Sequence, residues 1–71
     1  MEILVFKTNV TSKKKVSMIA PLLTSFPKIR QWNFDLEDRD KVLRIETTGL
    51  HPGSVERLLL MAGFNCQELD Y

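Results

Sequence analysis

The longest uninterrupted run of one charge in the sequence is Lys13-Lys14-Lys15. An apolar stripe at helical spacing follows it, so the run stands at the start of a helix, where free backbone N–H groups already attract anions. Three roles suit it: hydrated surface, contact with an acidic protein face, or contact with nucleic acid or another anion. The same lysines oppose the helix dipole at this end, and a residue choice that costs stability points toward use. No glycine-rich phosphate-cradling loop accompanies them.

Other reactive side chains are scattered. Cys66, Met18, Met61 and His51 are the soft or imidazole groups, and the Cys66–His51 separation does not have the spacing of a metal-ligand pair. Cys66 and the methionines read as packing residues, and His51 as a helix-start or turn residue. Asp35, Glu37, Asp38 and Asp40 crowd a polar turn with Arg39 and Lys41 and read as hydrated charge. A general acid and base would need a cleft that sets their protonation apart. No catalytic residue and no cofactor is expected.

The elements that must position these groups fit into little material. The chain has 71 residues and a mass of 8.2 kDa, enough for one domain spanning 1–71. Its 44% apolar and 27% charged residues are those of a folded domain rather than a disordered one. The net charge of +1 is unevenly spread. Up to Phe34 there are six basic residues and one acid; from Asp35 on there are four basic residues and eight acids. Such polarity can orient a charged partner, but the balance gives nucleic-acid binding only weak support. The single cysteine excludes an intramolecular disulfide and suits a reducing compartment. The apolar start, Met1 to Lys7, is too short for a signal peptide or a membrane span, and Leu69-Asp70-Tyr71 carries no sorting tag. A cytoplasmic location without membrane insertion is expected.

Residues 2–8 read as a strand, with Leu4, Phe6 and Thr8 on one face and Ile3, Val5 and Lys7 on the other. Residues 9–12 are turn and cap material, and Thr11 or Ser12 can cap a helix. Residues 13–26 read as that helix, with Val16, Ile19, Leu23 and Phe26 as its stripe. Pro21 predicts a kink or a break near Ala20, and Pro27 a stop. Residues 29–36 alternate in their second half, with Trp32, Phe34 and Leu36 inward. A polar loop over 37–41 leads to a strand at 42–47, with Leu43, Ile45 and Thr47 inward. Pro52 suits the first position of a second helix over 53–62, with Val55, Leu58, Leu59 and Ala62 on one face. Gly63 suits its C-terminal cap. A short polar edge strand is expected at 65–70.

Strand, helix, strand, strand, helix, strand with right-handed crossovers gives an α+β, ferredoxin-like βαββαβ sandwich. Its four-stranded antiparallel sheet has both helices on one face. The expected core is Phe6, Ile19, Leu23, Trp32, Phe34, Leu43, Ile45, Val55, Leu58, Leu59 and Ala62. The open face offers Val5, Gln31, Asn33, Arg44 and Glu46 rather than stacking aromatics, which argues against RNA binding. Acyl-phosphate hydrolysis, another use of this fold, would need an arginine beside Asn9, and none is there.

The stretch from Phe6 to Val16, the helix positions Ile19, Leu23 and Phe26, the strands Phe34-Asp35-Leu36-Glu37 and Leu43/Ile45, and the ending Leu58-Leu59-Leu60-Met61-Ala62-Gly63-Phe64 resemble one family. It is the heavy-metal-associated domain family of small copper chaperones and of the cytosolic modules of copper-pumping ATPases. The family holds Cu(I) or a soft divalent ion between two cysteines in a Met-x-Cys-x-x-Cys loop. The resemblance sets Val10 at the methionine position, Thr11 at the threonine position, and Ser12 and Lys15 at the two cysteine positions. It sets Phe64 at the aromatic near the loop. Soft thiolates select Cu(I); a hydroxyl substitutes poorly, and an ammonium repels a cation.

The resemblance implies a degenerate motif with no metal site. The expectation is a small protein-interaction or regulatory module that meets an acidic protein surface. The face it would use is Val10, Ser12, Lys13, Lys14, Lys15 and Phe64, with Val10 and Phe64 as an apolar spot beside the lysines. The alternative is a metal-binding or metal-homeostasis role through an altered or intermolecular site, anchored by Cys66.

Overall fold

A computed structural model of the chain describes residues 2–69. The order is β1 (Glu2–Thr8), α1 (Lys13–Thr24), β2 (Ile29–Asp35), β3 (Val42–Thr47), α2 (Pro52–Met61) and β4 (Cys66–Glu68). The strands form one sheet in the order β2-β3-β1-β4, and every neighbouring pair is antiparallel. This is the ferredoxin-like sandwich. The last strand is shorter than its 65–70 expectation, and residue 70 lies outside the described residues.

Alternation in the strands and a stripe on each helix meet in one core. Leu4, Phe6, Leu43 and Ile45 from the sheet pack with Ile19 and Leu23 of α1 and Val55 and Leu59 of α2. The opposite sheet face carries Ile3, Gln31, Asn33 and Arg44, all exposed. Both helices therefore cover the same face. Four residues expected in the core are only half-buried: Trp32, Phe34, Leu58 and Ala62. Trp32 and Phe34 lie on β2, an edge strand with a neighbour on one side only. Leu58 flanks the α2 stripe, and Ala62 is the residue that caps the helix. In exchange the core takes in Val10, Val42, Leu50 and Phe64.

The half-regular pattern of β2 has a cause in its ladder. Ile29 pairs with Thr47 and Gln31 with Glu46, so one extra residue is inserted there as a bulge. Alternation is clean only beyond it.

α1 does not break at Ala20; it runs through Pro21 to Thr24. Pro21 and Ser17 are both on the exposed side, so the Ser17 carbonyl that loses its N–H partner faces water. Burial of Ile19 and Leu23 on the other side holds the helix together. Its end comes before Pro27: Ser25 caps it, and the Ser25 hydroxyl donates to the Leu22 carbonyl at 2.7 Å.

α2 ends in a Schellman turn. Gly63 adopts φ +94°, its N–H donates to the Leu60 carbonyl at 3.0 Å, and Phe64 N–H donates to the Leu59 carbonyl at 2.9 Å. A glycine meets that φ without the Cβ penalty. The turn drives Phe64 inward, where it joins Leu59 in the core.

Candidate functional site

The strand directions bring three connections to one end of the sandwich: the β1–α1 loop (9–12), the β2–β3 hairpin turn (36–41) and the α2–β4 turn (62–65). Gly49 to His51 lies at the other end.

The β1–α1 loop is held from below by Thr8, a buried threonine. Its hydroxyl donates to the Lys41 carbonyl at 2.5 Å and accepts from Val10 N–H at 3.2 Å. Thr8 N–H also donates to the Asp40 carbonyl at 3.0 Å. Asn9 ties the loop to the α2–β4 turn: its Oδ1 accepts from Asn65 N–H at 2.8 Å. Loop, hairpin and turn are thus knit through two side chains. Alternation sets Thr8 on the Phe6 face without revealing its bonds, and spacing does not single out Asn9 at all.

Above this base Ser12 is the N-cap of α1. Its Oγ accepts from Lys15 N–H at 3.2 Å, and the Lys15 Nζ donates to the Thr11 hydroxyl at 3.1 Å. Lys13, Lys14 and Lys15 are all exposed, with no acid in the first turn to offset them. Val10 and Phe64, in contrast, are 0% and 9% exposed. They cannot form the apolar spot expected beside the lysines. Val10 is the plug beneath the loop, and Phe64 is turned in by the Schellman geometry. Of the six residues expected to form a partner face, the three lysines present free charge and half-buried Ser12 serves the helix.

The end is not uniformly basic. The hairpin brings Asp38 and Asp40 to it, and Lys7 Nζ lies 3.8 Å from Asp40 Oδ1 across exposed surface. The acidic turn keeps its own order. Asp38 Oδ1 accepts from Asp40 N–H at 2.9 Å, Lys41 adopts φ 48°, and its Nζ donates to the Leu36 carbonyl at 2.8 Å. Sequence order separates these acids from the lysines by more than twenty residues, and only the topology brings the two signs together.

Cys66 stands opposite Thr8, at the first residue of β4. Burial, reinforced by the nearby Glu56 carboxylate, pushes its thiol from the ordinary 9.0 up to about 12. The thiol therefore stays protonated at neutral pH. A groove of about 620 Å³ runs beside it, lined by Lys7, Asn9, Glu56, Arg57 and Leu60. Among the described residues no three His, Cys, Asp or Glu side chains gather as a metal site. The donors at the loop do not fit Cu(I): the Ser12 hydroxyl serves the helix, and the Lys15 ammonium rests on Thr11. His51 is occupied as the N-cap of α2, its Nδ1 accepting from Gly53 N–H at 3.0 Å.

No helix among the described residues is long and apolar enough to cross a membrane. No protein-family model matches the sequence, and no curated protein matches it. Solved structures do. The yeast copper transporter domain CCC2A, studied in apo and Cu(I)-loaded states, superposes with a TM-score of 0.84 at 12% identity, over 99% of this chain and 97% of that one. A structure described in work on crosstalk between Cu(I) and Zn(II) homeostasis gives 0.83 at 11% identity, over 97% and 100%. The copper(I)-loaded first domain of the human copper chaperone for SOD1, CCS, gives 0.77 at 21% identity, over 93% and 89%. Across nearly its whole length the chain has the fold of these three structures.

Proposed function

We propose that the chain is a divergent heavy-metal-associated domain that has no thiolate metal site and acts as a small protein-interaction or regulatory module. The supporting observation is the occupation of the two positions where the resembled family holds cysteines. Ser12 is committed to capping α1, and Lys15 lays its ammonium on Thr11. The loop frame is kept by Thr8 and Asn9, while its two cysteine positions hold a hydroxyl and an ammonium. The surface left for a partner is then the Lys13–Lys15 run, and an acidic protein face is its complement. Lysines at an exposed rim speed and orient an encounter more than they tighten it.

Cu(I) competition under reducing conditions tests the first half. The wild-type chain is expected to leave Cu(I) with the competitor, and S12C/K15C to take it. Tight wild-type binding abolished by Cys66→Ala would replace this reading with a metal-homeostasis role through an altered site. The second half is tested by presenting the native lysate to wild-type and K13E/K14E/K15E baits and titrating any captured protein at low and moderate salt. The reading requires an acidic partner whose binding weakens with salt for the wild type and is lost by the variant. Equal capture by both baits removes the lysines from function.

A further inference from the structure

The two edges of the sheet are finished differently. β4 is three residues long, and α2 closes it: the Glu56 Oε2 accepts from Glu68 N–H at 2.8 Å. Blocking of this kind is how sheets avoid pairing with other chains. β2, the other edge, is seven residues long, contains neither proline nor lysine, and has no strand beyond it. Its bulge lies at the start, between Ile29 and Gln31, which leaves Gln31 to Asp35 regular.

The charges around β2 are ordered along it. Lys28 and Arg30 stand at its start; Asp35, Glu37 and Asp38 stand at its end. Two such strands laid antiparallel set each basic end against the other's acidic end, whereas parallel pairing sets like against like. Because antiparallel partners share a face, centring the pair on Asn33 places Trp32 opposite Phe34 of the second copy and Gln31 opposite Asp35. Trp32 and Phe34 are half-buried and already meet edge to face, with ring centroids 6.0 Å apart and planes at 76°. A second copy would extend that aromatic row and cover what the edge leaves exposed. Cross-strand aromatic and opposite-charge pairs are the contacts that stabilise such ladders.

We infer that β2 is a self-pairing edge, through which two copies of this chain join antiparallel to make one continuous sheet. One strand-to-strand contact is a small interface, so the dimer is weak and concentration-dependent.

Sedimentation equilibrium of the whole chain from about 10 μM to about 1 mM covers the range expected for such an interface. The expected result is a monomer–dimer equilibrium. Arg30→Glu and Glu37→Arg alter exposed side chains, and circular dichroism checks that each variant keeps the fold. Each is expected to weaken the dimer about tenfold, because the dyad reverses two contacts at once. An equimolar mixture of the two variants restores association, since residues 30 and 37, neighbours across the dyad, again carry opposite charges in both places. A monomer throughout the range overturns the inference. So does a dimer indifferent to both substitutions, or one that both weaken and the mixture does not restore.

Discussion

Two loops lead from a strand into a helix, and both begin on a buried threonine. Thr8 ends one central strand opposite Cys66, the first residue of β4; Thr47 ends the other opposite Ile29, the first residue of β2. The Thr8 hydroxyl donates to Lys41 and the Thr47 hydroxyl to Lys28, at 2.5 and 2.6 Å, each just before a neighbouring strand. Four residues on, Ser12 caps α1 and His51 caps α2. Each loop also buries one apolar residue, Val10 or Leu50. The frames match and the helix starts do not. α2 opens on Pro52, whose absent N–H would be unpaired there anyway, and carries no charge in its next two residues. α1 opens on three lysines. Both loops share the threonine, the plug and the cap; the lysines belong to one of them alone.

The comparison can be broken first at the core that both loops sit on. Leu59→Ala is expected to cost about 2–5 kcal/mol through lost burial and a residual cavity. Leu50→Ala belongs in the lower part of that range, since Leu50 lies at the rim of the core. Chemical denaturation reads both. A cost below about 0.5 kcal/mol for Leu59→Ala would place it outside the core.

The threonines sharpen it next. Thr8→Val and Thr47→Val each remove a buried hydroxyl and are expected to cost about 1–3 kcal/mol. Thr8→Val is the more damaging, because Val10 N–H also loses its acceptor. Equal midpoints for the two variants would mean that water replaces the Thr8 hydroxyl.

Reversing the lysines tests the one place where the loops differ. K13E/K14E/K15E is expected to raise stability by about 0.3–1 kcal/mol per residue at low salt, through the helix dipole, and by much less at high salt. A variant less stable than wild type at low salt would show that the lysines serve the fold.

An effect absent at neutral pH concerns Cys66 behind the first loop. Its thiol ionises near 9.0 in an unfolded chain and near 12 in the folded one. The unfolded chain gives up the proton first, so stability held below pH 9 declines as pH rises toward 12. Cys66→Ala should flatten that decline. At pH 8 the folded chain should also react with iodoacetamide more slowly than the unfolded one.

The architecture was legible because its periodicities are plain. Ile19 and Leu23 carry one helix stripe, Val55 and Leu59 the other, and Leu43-Arg44-Ile45-Glu46-Thr47 alternates without a fault. The site was harder to read. Val10 and Phe64 look like surface residues because they flank a loop and a turn, yet local geometry turns both inward. Periodicity does not report the direction of a loop side chain. The meeting of Lys7 with Asp40, and of Asn9 with Asn65, comes from topology, and these pairs are separated by thirty residues or more.

The Thr8 hydroxyl, bonded at once to Lys41 of the hairpin and to Val10 of the loop, has a consequence for motion. Neither segment can swing away without releasing the other, so the two open as one cooperative unit. Native-state hydrogen exchange should find two amides, that of Val10 on the Thr8 hydroxyl and that of Thr8 on the Asp40 carbonyl, protected to a similar degree and losing that protection together. A partner seated on the lysines would then slow exchange across the hairpin, on residues it never touches.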